Sequence, residues 1–93
     1  MIVSFADRET KAFWQTGKSR RLASDIRDRA FAKLQSLHVA KDVQEMAVPP
    51  GNRLERLSGD RVGFWSVRIN RQRRLVFRFH KQDAYDVSIV DYH

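Results

Sequence analysis

Apolar and polar residues follow two different rhythms along the 93-residue chain, and the rhythm changes near its middle. The first apolar run, "IVSF" at residues 2–5, is short, β-branched and aromatic, and predicts a strand paired inside a sheet. In "ADRETKAFWQTGK", Asp7 is placed to cap a short helix that carries Phe13 and Trp14, and Gly17 supplies its stop. From Ser19 the spacing becomes helical. Leu22, Ile26, Ala30, Leu34 and Leu37 recur every three or four residues, while Arg20, Arg27, Asp28, Lys33 and Gln35 fall mostly on the opposite side. The tract "AVPPGN" at residues 47–52 holds both prolines and a glycine, and ends the helical half with a loop inside one domain.

Beyond that loop the rhythm is that of strands. "RLERLSG", "GFWSVRIN", "RRLVFRFH" and "AYDVSIVDYH" each predict one, with tight turns at residues 70–72 and 81–83. The order is β-α-α-β-β-β-β, an α+β fold filling residues 1–93 as one domain, with two N-terminal helices on one face of a mainly antiparallel, twisted sheet. Alternation then separates the two faces. Leu75, Phe77 and Phe79, Tyr85, Val87 and Ile89, and Trp65, Val67 and Ile69 fall on the core side. Phe64, Ser66, Arg68, Arg74, Arg78, Ser88 and Tyr92 fall on the other. That is a basic floor with two aromatics, suited to holding phosphates and stacking bases. From alternation alone, a plain solvated sheet face is an equally open reading.

Charge narrows the choice. Lys and Arg number 18 against 11 Asp and Glu, a formal charge of +7, which favours a polyanionic partner. Arginine dominates, and its planar fork suits phosphate oxygens. The absence of cysteine excludes disulfides, zinc ribbons and thiol catalysis. No apolar run approaches membrane-spanning length and "MIVSFADRE" has no signal-peptide pattern, so a cytoplasmic protein without a membrane partner is expected. His38, His80 and His93 stand far apart, and no Gly-rich phosphate loop, nucleophile elbow or HExxH occurs, so neither metal nor cofactor is expected. What remains is metal-free chemistry on RNA. The substrate carries its own nucleophile in the 2′-OH, so the protein needs only a base, cations for the phosphorane and an acid for the 5′-oxygen. His93 is the natural acid or base, Asp91 favours its imidazolium, and arginines supply the cations. A polar tail that caps the last strand is the alternative for these final residues.

The segments "MIVSF", "TGKSRR", "PPGNRLERLSGD", "GFWSVRIN", "RRLVFRF" and "DAYDVSIVDYH" together resemble the HigB toxins of the RelE/ParE superfamily, over nearly the whole chain. The resemblance implies a RelE-like fold, a type II toxin–antitoxin operon, and a HigA-type helix-turn-helix antitoxin. It also implies cleavage of mRNA in the ribosomal A site and contact with operator DNA through the toxin–antitoxin complex. Carried over by residue, Asp91, Tyr92 and His93 fall on the family's C-terminal acid, aromatic and histidine, and Arg74 falls on its phosphate-binding arginine. Glu55 stands where some HigB toxins have histidine, and Ser58 stands three residues on, where lysine also occurs. Glu55 is therefore a candidate base beside a phosphate, implying a weaker or more context-dependent toxin. Arg68, Arg73, Arg78 and Phe64 complete the expected RNA-binding set. Two other readings of the same superfamily stay open: a ParE-like poison that binds gyrase, and a catalytically weak antitoxin-binding module.

Overall fold

Asp7 and Gly17 do what their positions predict. In the computed structural model, which describes residues 1–91, the Asp7 carboxylate accepts from the Thr10 backbone N–H at 2.7 Å and opens helix α1 (Arg8–Thr16). Gly17, in the left-handed region at φ 73°, closes it by donating to the Phe13 carbonyl at 2.7 Å. Helix α2 (Ser24–Val39) begins five residues later than the spacing from Ser19 suggests. The Ser19 hydroxyl accepts from the N–H groups of Arg21 and Leu22, both at 3.2 Å, and this local turn competes with helix while leaving Leu22 buried. Phe31 of α2 meets Phe13 edge-on at 5.7 Å and stacks on Trp14 at 5.3 Å, which joins the helices.

The second half forms a four-stranded antiparallel sheet in the order β1 (Glu55–Arg56), β2 (Trp65–Arg68), β3 (Arg73–His80), β4 (Asp83–Asp91). Both helices lie on the same face, where Phe13, Leu34 and Leu37 close over Val67, Leu75, Phe77, Val87 and Ile89 in one buried cluster. Thr10 ties helix to sheet from inside this layer. Its buried hydroxyl accepts from the Ile89 N–H at 3.2 Å and donates to the Asp7 carboxylate at 3.0 Å. No helix among the described residues is long and apolar enough to cross a membrane.

Two strand-level expectations change, and one residue accounts for both. Val76 pairs with Ser88 but Arg78 pairs with Tyr85, so β4 carries one residue more than β3 over this stretch. The extra residue is Asp86, in the left-handed conformation at φ 51°, which makes a β-bulge. Beyond the bulge the faces exchange. Ala84, not Tyr85, joins Val87 and Ile89 in the core, and Tyr85 lies beside Arg78 on the outer face. The bulge also interrupts the N-terminal run. Residues 2–5 form no regular strand inside the sheet; they run parallel along the outer edge of β4 with single bridges at Ile2–Ala84 and Phe5–Val87, and Ser4 Oγ accepts the Asp86 N–H at 2.9 Å between them.

The β3–β4 turn suggests a stabilising change. Lys81 and Gln82 both sit at positive φ, 48° and 71°, which a two-residue I′-like turn requires and which glycine and asparagine tolerate best. Lys81→Asn with Gln82→Gly is expected to stabilise the chain by about 1 kcal/mol, raising its melting temperature by roughly 4–8 °C. A thermal melt followed by circular dichroism checks this, and an unchanged midpoint would show that the turn carries no strain.

Candidate nucleic-acid interface on the outer sheet face

The regular β2–β3 register brings cations together where electrostatics alone would separate them. Arg68 lies directly opposite Arg74, a like-charge cross-strand pair that is unfavourable without an anion. Arg74 is held in place. Its guanidinium donates to Ser66 Oγ at 2.6 Å and pairs with the Glu55 carboxylate at 3.5 Å, its side chain only 11% exposed while that of Glu55 is 55% exposed. The pairings Glu55–Ser66, Ser66–Val76 and Val76–Ser88 make one row across all four strands. Ser66, Val76 and Ser88 are buried, so the middle of this face is not the plain solvated surface that alternation also permitted. Val76 stands apart from the main core cluster, two residues along β3 from Arg74 and on the same face.

At the far end of the face Phe64 is flanked by guanidinium groups, Arg78 at 5.8 Å and Arg61 at 6.0 Å from its ring centre. Arg78 also lies 3.6 Å from the Asp86 carboxylate, both side chains largely open to solvent. The bulge therefore supplies a carboxylate partner for an arginine of this face. Arg61 has no place in the alternation pattern, because it sits in the short 3-10 helix Gly59–Arg61 between strands.

The predicted set divides. Glu55, Ser66, Arg68 and Arg74 converge, and Phe64 and Arg78 extend the same surface. Arg73 and Asp91 do not join them. They pair with each other across β3–β4 at 2.8 Å, in register with Leu75 and Ile89 and so on the helix side of the strand ends. Arg73 is mostly covered, and its ion pair with Asp91 joins the ends of β3 and β4. Tyr92 and His93 lie outside the described residues. His38, in the last turn of α2, is half-buried against Trp14, and its Nδ1 accepts the Ile2 N–H at 3.1 Å.

Residues 3–93 match the model of the family described as the RelE-like toxin of type II toxin-antitoxin system HigB. A toxin named HigB-1 from Vibrio cholerae is 38% identical over 80 residues, covering 85% of this chain and 84% of its own. Endoribonuclease HigB from Proteus vulgaris is 32% identical over the full length of both chains. Among solved structures, a YoeB/ParE toxin from Agrobacterium tumefaciens superposes with a TM-score of 0.57 at 22% identity, covering 99% of this chain and 98% of that one. A YoeB–YefM complex from Staphylococcus aureus gives 0.58 at 20% identity, with 100% and 95% covered. These two structures establish the fold, two helices on an antiparallel sheet, and the match along the sequence establishes the rest: the chain belongs to the HigB family of RelE-like toxins of type II toxin–antitoxin systems.

Proposed function

We propose that this toxin is an endoribonuclease that cuts mRNA in the A site of the translating ribosome by a metal-independent route, and that a HigA-type helix-turn-helix antitoxin neutralises it. The observation that carries the reading is Arg74, anchored on Ser66 and paired with Glu55 at the centre of a basic sheet face. The Proteus vulgaris relative, named an endoribonuclease and 32% identical across the whole chain, supports it. A solved heterotetrameric complex of the YoeB-YefM toxin-antitoxin from Staphylococcus aureus has the same fold in company with an antitoxin. Operator DNA is contacted through the toxin–antitoxin complex, with the antitoxin reading bases and the basic toxin adding phosphate contacts.

In this mechanism Arg74 receives the scissile phosphate. As the 2′-oxygen attacks, the P–O5′ bond breaks, leaving a cyclic 2′,3′-phosphate and a free 5′-hydroxyl, and the guanidinium stabilises the charge on the phosphorane. Glu55 takes the 2′-OH proton. It is the carboxylate beside Arg74, whereas Asp91 is committed to Arg73. His93 is assigned to protonate the leaving oxygen and Tyr92 to stack on a base beside it. A carboxylate next to a phosphate is a poor base until the RNA is rigidly placed, so the ribosome supplies much of the rate through positioning.

Primer extension on a reporter mRNA in a translating extract tests the proposal. The full chain should give ribosome-dependent cuts linked to the reading frame, and deletion of Tyr92 and His93 should abolish them. Intact mRNA together with arrested growth would reject the nuclease and redirect attention to a gyrase-binding poison.

A further inference from the structure

A second concentration of positive charge lies off the sheet floor. Arg29 and Lys33 occupy one side of α2, one turn apart, facing the 3-10 turn Pro50–Asn52 and the β2–β3 turn. Between them is an open cleft of about 790 Å³ whose charged lining among the described residues is Arg29, Lys33, Arg68 and Arg71, with no carboxylate.

The cations are held there by neutral oxygens. Arg29 donates to the Ile69 carbonyl at 3.4 Å, Lys33 Nζ donates to Asn52 Oδ1, and Arg68 Nε donates to the Asn70 carbonyl at 3.3 Å. Such acceptors fix direction but cancel no charge. Burial, and secondarily the Arg29 guanidinium, hold the Lys33 ammonium below the ordinary lysine range. An anion entering the cleft would offset the repulsion among all four groups.

We propose that this cleft is a second phosphate subsite, seating a backbone phosphate of the same RNA strand whose scissile phosphate lies at Arg74. The assignment to RNA rests on the nuclease reading. Continuity supports it. Arg68 belongs to both sites, since it lies opposite Arg74 across β2–β3 and also lines the cleft, so a strand leaving the sheet floor over the β2 end arrives there directly. Three of the four cations are arginines, whose forks match phosphate oxygens. Among the described residues, Pro49 and Ile69 are the only apolar side chains of the lining, a small anchor for an acidic peptide.

The test uses the full chain with two probes, inorganic pyrophosphate and an uncleavable 2′-O-methyl oligoribonucleotide. Pyrophosphate should shift the NMR signals of Asn52, Asn70 and Arg71 and move the Lys33 titration upward. Lys33→Gln with Arg71→Ala should weaken oligonucleotide binding about tenfold and make its salt dependence shallower by about 0.7 in log–log slope, as the loss of one phosphate contact requires. A thermal melt verifies that the double variant is folded. Unchanged affinity and slope, or shifts confined to the floor around Arg74, would overturn the subsite. So would displacement of pyrophosphate by a glutamate-rich peptide but not by RNA. The two readings fail separately: absence of ribosome-linked cuts with the cleft shifts intact removes the nuclease, and cuts without cleft shifts remove the subsite.

Discussion

Replacing Arg74 by alanine is expected to lower mRNA cleavage about 10²–10³-fold while leaving the chain folded, the loss associated with removing one preorganised donor from a developing anion. Arg74→Lys should recover only part of the rate, because the ammonium keeps the charge but gives up the fork that contacts Ser66 and phosphate together. A companion change separates Arg74's two relationships. Glu55→Gln removes the anion that competes with phosphate for Arg74, so RNA should bind more tightly. The same change removes the assigned base, so the catalytic rate should fall by about 10². Tighter binding with slower turnover is a split that a purely structural carboxylate would not produce. Reporter cleavage in a translating extract, read beside oligonucleotide affinity, measures both; full cleavage by Arg74→Ala would end its role as the phosphate ligand.

Why some of this was legible in the sequence and some was not follows from a few residues. The caps of α1 are local chemistry, a carboxylate and a glycine at fixed offsets, and the fold places both as read. Ser66, Arg68 and Arg74 were legible because β2 and β3 run without a bulge, so alternation holds along both. Glu55 came from the resemblance, since β1 is two residues long and presents too little pattern to assign a face. Asp86 defeated the alternation in β4. Nothing in "AYDVSIV" marks it as an extra residue, yet it moves Tyr85 to the outer face and leaves the N-terminal run as two separate bridges. Arg73 illustrates a different limit. Its parity with Leu75 puts it on the helix side, although the expected RNA-binding set included it. The cleft was invisible because its cations come from α2 and from a turn roughly forty residues away, a distance along the chain that no periodicity spans.

Asn52→Ala is expected to destabilise the chain by about 3 kcal/mol, lowering its melting temperature by roughly 15 °C. Asn52 is 2% exposed, and its amide is fully used: Nδ2 donates to the carbonyls of Met46 at 3.0 Å and Val48 at 3.1 Å, while Oδ1 accepts from Lys33. Alanine would strand two carbonyls in a covered loop and leave a partly buried ammonium without its acceptor, and each loss costs more than a typical hydrogen bond contributes. Asn52→Asp should restore a partner for Lys33 but set carboxylate oxygens against both carbonyls, so it should rescue little of the stability. Calorimetry on the two variants distinguishes these contributions, and an alanine variant melting within a degree or two of the parent would show that the loop is held by other contacts. The same substitution releases Lys33 from the direction in which it faces the cleft. If the cleft seats phosphate, pyrophosphate binding should therefore weaken in Asn52→Ala even at temperatures where the variant is fully folded.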